Sequence, residues 1–160
     1  MGARPATCPA GACRTGDTGA ALRGGGRHGL PTSSRHGPGV LAWSPLGGGV
    51  LAGRYARGTA PDGSSRIGRL LGSPSPLARA WAGSLLTGRN LGIAEEVADV
   101  AAALGATSTA VALAWLRRRS GVTSVILGPR TVGQLVDNLA GFTLELPAEA
   151  VARLDEVSGT

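Results

Sequence analysis

Two clusters in this sequence combine a sharp turn with groups suited to binding anions. In the segment Trp43-Ser44-Pro45-Leu46-Gly47-Gly48-Gly49, continued through Arg54 and Tyr55, a hydroxyl and a rigid turn precede a glycine run and a cation. Small residues let backbone N–H groups approach an anion closely, and Arg54 adds positive charge beside them. A phosphate-bearing ligand fits this pattern, and so does an ordinary strand-ending turn. The second cluster runs from Gly128 to Asn138. It puts Gly128, Arg130 and Thr131 at a helix entry, with Gln134, Asp137 and Asn138 about a turn further on. A helix start with Arg and hydroxyl donors suits an anion, and amide groups a turn later can meet a base edge. A plain capped amphipathic helix explains Thr131 but not the clustered polar side.

Other chemistry is scarce. All sixteen basic residues are Arg, and the chain has a single tyrosine, Tyr55, and two histidines, His28 and His36. Cys8 and Cys13 have neither a second pair nor a nearby His, so no metal site is expected and the thiols read as incidental in a reducing cytoplasm. Gly24 to Gly29 formally matches a dinucleotide fingerprint, but no strand precedes it. Gly47, Gly49 and Ala52 approximate the same fingerprint after a real strand. A Rossmann domain would then need an acid at another strand end roughly 20 residues on, where Arg69 lies in apparent loop.

The elements that must position these groups occupy about three quarters of the chain. Gly and Pro number 27 and 10 among 160 residues, about twice their usual share. Much of the excess sits in residues 1–38, where Leu22 and Leu30 are the only large aliphatics. Such a stretch cannot offset its ordering entropy by burial and is expected to be a disordered tail of non-family sequence, its Arg, Gly, Pro and Ala richness resembling GC-rich DNA read out of frame. Its five Arg against Asp17 supply most of the +6 net charge, leaving residues 39–160 nearly balanced. With no interleaved aromatics and no recognisable module, nucleic acid is not an expected partner. The longest uncharged stretch is rich in Gly and Pro, and no signal peptide or membrane span is expected. A cytoplasmic location follows.

Gly39 to Trp43 and Val122 to Leu127 read as buried parallel strands opening into loops at their C-terminal ends. Residues 54 to about 80 read as a long turn-rich excursion covering a site. A helix follows through Ile93, Val97, Val100 and Leu104, with Glu95, Glu96 and Asp99 near its start and Gly105 at its end. Another starts near Thr107, is apolar on most faces and ends in Arg117 to Arg119; Trp115 within it reads as a packing residue. Thr131 is placed to cap a helix with the apolar stripe Val132, Leu135, Val136, Leu139 and Phe142. Pro147 can open a last helix with Val151, Leu154 and Val157 inward, stopped by Ser158-Gly159.

As an ordered set, Ser-Pro-Leu-x-x-Gly-x-Leu after a strand, Ala-x-Ala-Trp-Leu, Gly-Val-x-Ser-Val-Ile-x-Gly and Gln-Leu-x-x-Asn resemble the C-terminal part of an aldo-keto reductase, from about Gly39 to Ser158. The resemblance implies an α/β fold, a partial (β/α)8 TIM barrel, with the seventh and eighth strands, and NADPH as cofactor. Barrels of this kind bind phosphate after strands seven and eight. By motif position Trp43 resembles the aromatic stacking on nicotinamide, and Ser44, Pro45, Leu46 and Gly48 the loop flanking the pyrophosphate. Arg54 falls at a phosphate-binding position and Arg66 at a weaker match. Gly128, Arg130, Thr131 and Gln134 would surround the adenosine 2′-phosphate, with Asp137 and Asn138 near the adenine.

The family reduces aldehydes or ketones with an Asp, Tyr, Lys and His set from the first half of its barrel. This chain has no Lys, and Tyr55 falls in a cofactor-loop position. The expectation is an aldo-keto reductase-type oxidoreductase segment with no catalytic residues of its own, inactive in isolation, or a non-catalytic NADPH-binding or regulatory module.

Overall fold

The computed structural model describes residues 15–17, 40–119 and 122–159. Its sheet has three parallel strands in the order β1 (Thr15–Asp17), β2 (Val40–Trp43) and β3 (Val122–Val125). Leu41 pairs with Ser124 and Ala42 with Val125, after a register shift between Val40 and Leu41, and the Ile126 N–H extends the ladder to the Ala42 carbonyl at 2.8 Å. The two expected strands are therefore present and parallel, but β3 is not buried as expected: Thr123 and Ser124 are exposed, as is Ile126 just beyond it. β1 departs from the expected tail, because ladder bonds use backbone groups and need no apolar side chains. The remaining disorder expected in residues 1–38, with Cys8, Cys13, His28 and His36, lies outside the described residues.

Helices fill the connection between β2 and β3. The stretch expected to be loop up to about residue 80 contains α1 (Arg66–Leu71) and the start of α2 (Pro76–Leu85). Ser65 Oγ accepts from the Gly68 N–H at 3.0 Å, and Ser75 Oγ from the Ala78 N–H at 3.4 Å, with Pro76 in the first turn. Ser and Pro that read as turn residues are here a cap and a first helical residue. α3 (Gly88–Ala103) starts earlier than its apolar pattern, capped by Thr87. Glu95, Glu96 and Asp99 thus lie inside the helix rather than in its first turn. Glu95 pairs with Arg57 at 2.8 Å and Glu96 with Arg153 instead.

α4 (Ser108–Arg117) is capped by Thr107 and buries every residue from Thr109 to Leu116. α3 and α5 (Val132–Thr143) pack against it, and α6 (Ala148–Ser158) packs against α3, reaching α4 through Asp155. Trp115 is buried there, donating Nε1–H to Asp155 at 2.7 Å, with the Arg119 guanidinium 4.0 Å from its ring centroid. Burial pulls the Arg119 guanidinium below its ordinary pKa, and the Asp155 carboxylate opposes that shift. Gly159 ends α6 in the left-handed conformation, and Leu154 is buried as its pattern predicts.

α5 is turned opposite to its hydrophobic pattern. Its buried residues are Asn138 and Gly141, whereas Val132, Val136 and Leu139 are 78%, 63% and 50% exposed. Gly141 permits this orientation: a Cβ there would lie 2.7 Å from Leu113 Cβ and 2.9 Å from the Ala110 carbonyl oxygen. The backbones of α4 and α5 meet where only hydrogen fits, and the apolar stripe points away from them. Gly141→Ala should therefore destabilise the fold by about 1–3 kcal/mol through overpacking. Gly83→Ala in α2, where a Cβ meets nothing within 4 Å, should be neutral or stabilising by up to about 1 kcal/mol. Urea unfolding of both variants checks the pair. On the outer face, Val136→Ser should shift stability by no more than about 0.5 kcal/mol, measured by the same urea unfolding.

Candidate functional site

Parallel pairing sends the C-terminal ends of β2 and β3 out of the same edge of the sheet. After β2 the chain turns through Ser44, which has φ 51°, a left-handed conformation costing roughly 1–2 kcal/mol for a residue with a Cβ. The Ser44 carbonyl accepts from the Gly47 N–H at 2.9 Å, and a short 3-10 turn at Gly47–Gly49 follows. Gly48 and Gly49 have φ of 69° and 106°. A Cβ on Gly49 would stand 3.0 Å from Arg54 Cδ, so the missing side chain also makes room for that arginine. After β3 the chain passes Gly128 to Arg130 and enters α5. Thr131 Oγ1 accepts from the Gln134 N–H at 3.2 Å, and Gln134 Oε1 accepts from the Arg130 N–H at 2.8 Å.

Between these two loops lies a pocket of about 470 Å³, within the range usual for small-molecule sites. Trp43, Ser44, Pro45, Leu46, Gly48, Arg54 and Arg66 line one side, and Gly128, Arg130, Gln134, Asp137 and Asn138 the other. Of the residues that the resemblance placed around the cofactor, Thr131 alone is absent from the wall, its side chain being committed to capping α5; Gly47 and Tyr55 of the first cluster also lie outside it. Asp137 accepts a hydrogen bond from the Thr107 hydroxyl at 2.5 Å, which ties the wall to the cap of α4. Asn138 is buried.

The wall also contains Arg69 and Thr109, which no motif marked. Arg69 sits one turn after Arg66 on α1, and its guanidinium donates to the Ser64 carbonyl. Asp62 orders the approach to α1, accepting from the Ser64 N–H at 2.9 Å and the Ser64 hydroxyl at 2.7 Å. These bonds hold the Asp62 carboxyl below its ordinary pKa. Its contribution to that turn is complete above the usual carboxylate range and is lost as pH falls through the lowered value.

Electrostatically the pocket favours an anion. Arg54, Arg66, Arg69 and Arg130 converge on it, and among the described residues none of them forms an ion pair with a carboxylate. The Ser44 hydroxyl oxygen is buried in the wall without a hydrogen-bond partner, a state that ordinarily carries a cost or a purpose. Tyr55 does different work. Its hydroxyl donates to the Gly48 carbonyl at 3.2 Å and accepts from the Ile67 N–H at 3.3 Å, clamping the glycine turn to α1. No described helix is by itself long and apolar enough to cross a membrane.

Comparison with known proteins identifies the family. An uncharacterized oxidoreductase, YrpG, of Bacillus subtilis is 32% identical over 80% of this chain and 34% of its own length. A putative voltage-gated potassium channel subunit beta of Schizosaccharomyces pombe is 33% identical over 80% of this chain and 36% of its own. The L-glyceraldehyde 3-phosphate reductase of Escherichia coli O157:H7 is 30% identical over 79% and 35%. The chain thus spans about a third of the length of these curated relatives. The profile of the Aldo/keto reductase family matches residues 27–158, beginning twelve residues before the boundary at 39 that composition suggested. Both ends of the pocket and every described helix fall inside that match, and the chain belongs to the aldo/keto reductase family.

Proposed function

We propose that this chain carries the coenzyme-binding part of an NADP(H)-dependent reductase of aldehydes or ketones, in a C-terminal portion of a (β/α)8 barrel. The observation that carries this reading is the convergence of the two loops, with their arginines and the unpartnered Ser44 hydroxyl, on one pocket. The donor set fits a ligand with a pyrophosphate at its centre and a further phosphate on its adenosine. Trp43 offers a ring face to the nicotinamide. Ser44, the glycine turn, Arg54 and Arg66 attract the pyrophosphate, and Pro45 and Leu46 flank it. Arg130 serves the 2′-phosphate, assisted by Gly128 and Gln134, while Thr131 contributes through the helix entry it caps. Asn138 and Asp137 lie toward the adenine, Asp137 with one oxygen already engaged by Thr107.

When bound, NADPH supplies a hydride, and reduction of a carbonyl also needs a proton. No residue described in the pocket wall is suited to deliver it. Tyr55 is the chain's single tyrosine and is held between Gly48 and Ile67, and there is no Lys to lower a phenol's pKa. These 160 residues therefore bind coenzyme without turning over a carbonyl unaided. A non-catalytic coenzyme-binding or regulatory module is the second reading, favoured by the same engagement of Tyr55.

Fluorescence titration of the purified chain should show NADPH binding more tightly than NADH. Arg130→Ala should weaken NADPH at least tenfold, since a hydrogen bond to a charged group contributes about 1.5–3 kcal/mol, and leave NADH nearly unchanged. Equal binding of both coenzymes, indifferent to Arg130, would rule the reading out. Because guanidinium stays charged while a phosphate monoester titrates near pH 6, affinity should be flat above about pH 7 and fall below about pH 6.

A further inference from the structure

Trp81 lies on α2, outside the pocket wall, yet two residues of the wall rest against it. Its ring stacks on that of Trp43 with centroids 6.3 Å apart and planes inclined by 16°. The guanidinium carbon of Arg66 stands 5.8 Å from the Trp81 centroid, within cation–π range. Trp43 ends β2 and Arg66 begins α1, so one indole joins two elements that reach the pocket from different directions. Trp81 is itself held from behind. It is half-buried against the core, beside the buried Ala82 and Leu85 of the same helix. The C-terminal end of α2 is fixed by Asn90, which is 2% exposed and donates from Nδ2 to the Ser84 and Leu85 carbonyls at 3.2 and 3.1 Å.

From this geometry we propose that Trp81 is a positioning residue of the coenzyme pocket, holding the plane of Trp43 and the reach of Arg66 before a ligand arrives. The inference rests on the coenzyme reading above. Its physical basis is preorganisation: a ring and a long side chain already held in their binding geometry lose less freedom when the ligand enters. If Trp81 only filled space, an aliphatic side chain of similar reach would serve as well. A positioning role instead requires a π face, because the stack and the guanidinium contact both need one.

The test uses the full chain and two probes, NADPH and adenosine 2′,5′-bisphosphate, which lacks the nicotinamide half. Trp81→Leu keeps an apolar side chain on α2 and removes the π face, Trp81→Phe restores a smaller one, and thermal unfolding confirms that each variant folds. Trp81→Leu is expected to weaken NADPH about tenfold, equivalent to about 1.4 kcal/mol, while adenosine 2′,5′-bisphosphate changes less than about twofold. Trp81→Phe should recover most of the NADPH affinity. The loss on Trp81→Leu should shrink in an Arg66→Gln background, because part of the effect acts through Arg66. Without ligand, the near-ultraviolet circular dichroism of the indole pair should disappear in both Trp81 variants. Wild-type binding of both probes, with Trp81→Leu weakening neither or both equally, overturns the inference and leaves the coenzyme reading standing, as does a Trp81→Phe no better than Trp81→Leu. Wild-type protein that binds neither probe overturns the coenzyme reading and this inference with it.

Discussion

The parallel pairing of β2 with β3 is the constraint on which the site depends. Side by side and running the same way, the two strands deliver their C-terminal loops to one edge, although about eighty residues of chain separate them. Antiparallel pairing would put the glycine turn and the entry of α5 at opposite ends of the sheet. A parallel connection needs a long crossover, and here the crossover does more than return the chain. α1 brings Arg66 and Arg69 to the pocket, α2 brings the indole behind Trp43, and the cap of α4 reaches Asp137.

The pocket is held by groups already engaged with one another. Gln134 folds back on the Arg130 backbone, Tyr55 joins the glycine turn to α1, and Thr107 holds Asp137. Few side chains in the wall wait for a ligand to be ordered. Arg54, Arg130 and the Ser44 hydroxyl are the exceptions, whereas Arg69 donates to the Ser64 carbonyl and Arg66 lies over Trp81. The left-handed backbone at Ser44 belongs with them, because strained residues persist where the surrounding structure over-determines them, often at ligand clamps.

Much of this was legible in the residues, and the failures have physical causes. Both strands, the caps at Thr107 and Thr131 and the stop at Gly159 follow from local chemistry: backbone N–H groups that need acceptors and a residue that tolerates positive φ. The loops facing each other followed from reading both strands as parallel. Trp81, Arg69 and Thr109 were invisible because they belong to no motif and reach the site through packing. Trp81 was further hidden by Ser75-Pro76, read as turn residues of the long excursion rather than the start of α2. The stripe on α5 shows a different limit. Periodicity reveals that a helix has an apolar face but not which way it turns, and Gly141, one of two glycines in the helix, lets the opposite face approach α4.

The all-arginine composition has a last consequence for the pocket. Lysine amines are targets for acetyl and other acyl groups that erase their charge, whereas methylation of arginine leaves the charge in place. With guanidinium groups at Arg54, Arg66, Arg69 and Arg130 and no lysine anywhere in the chain, acylation has no handle on the electrostatic field of this cleft. The positive charge that these four residues bring to the cleft is therefore indifferent to acyl donors.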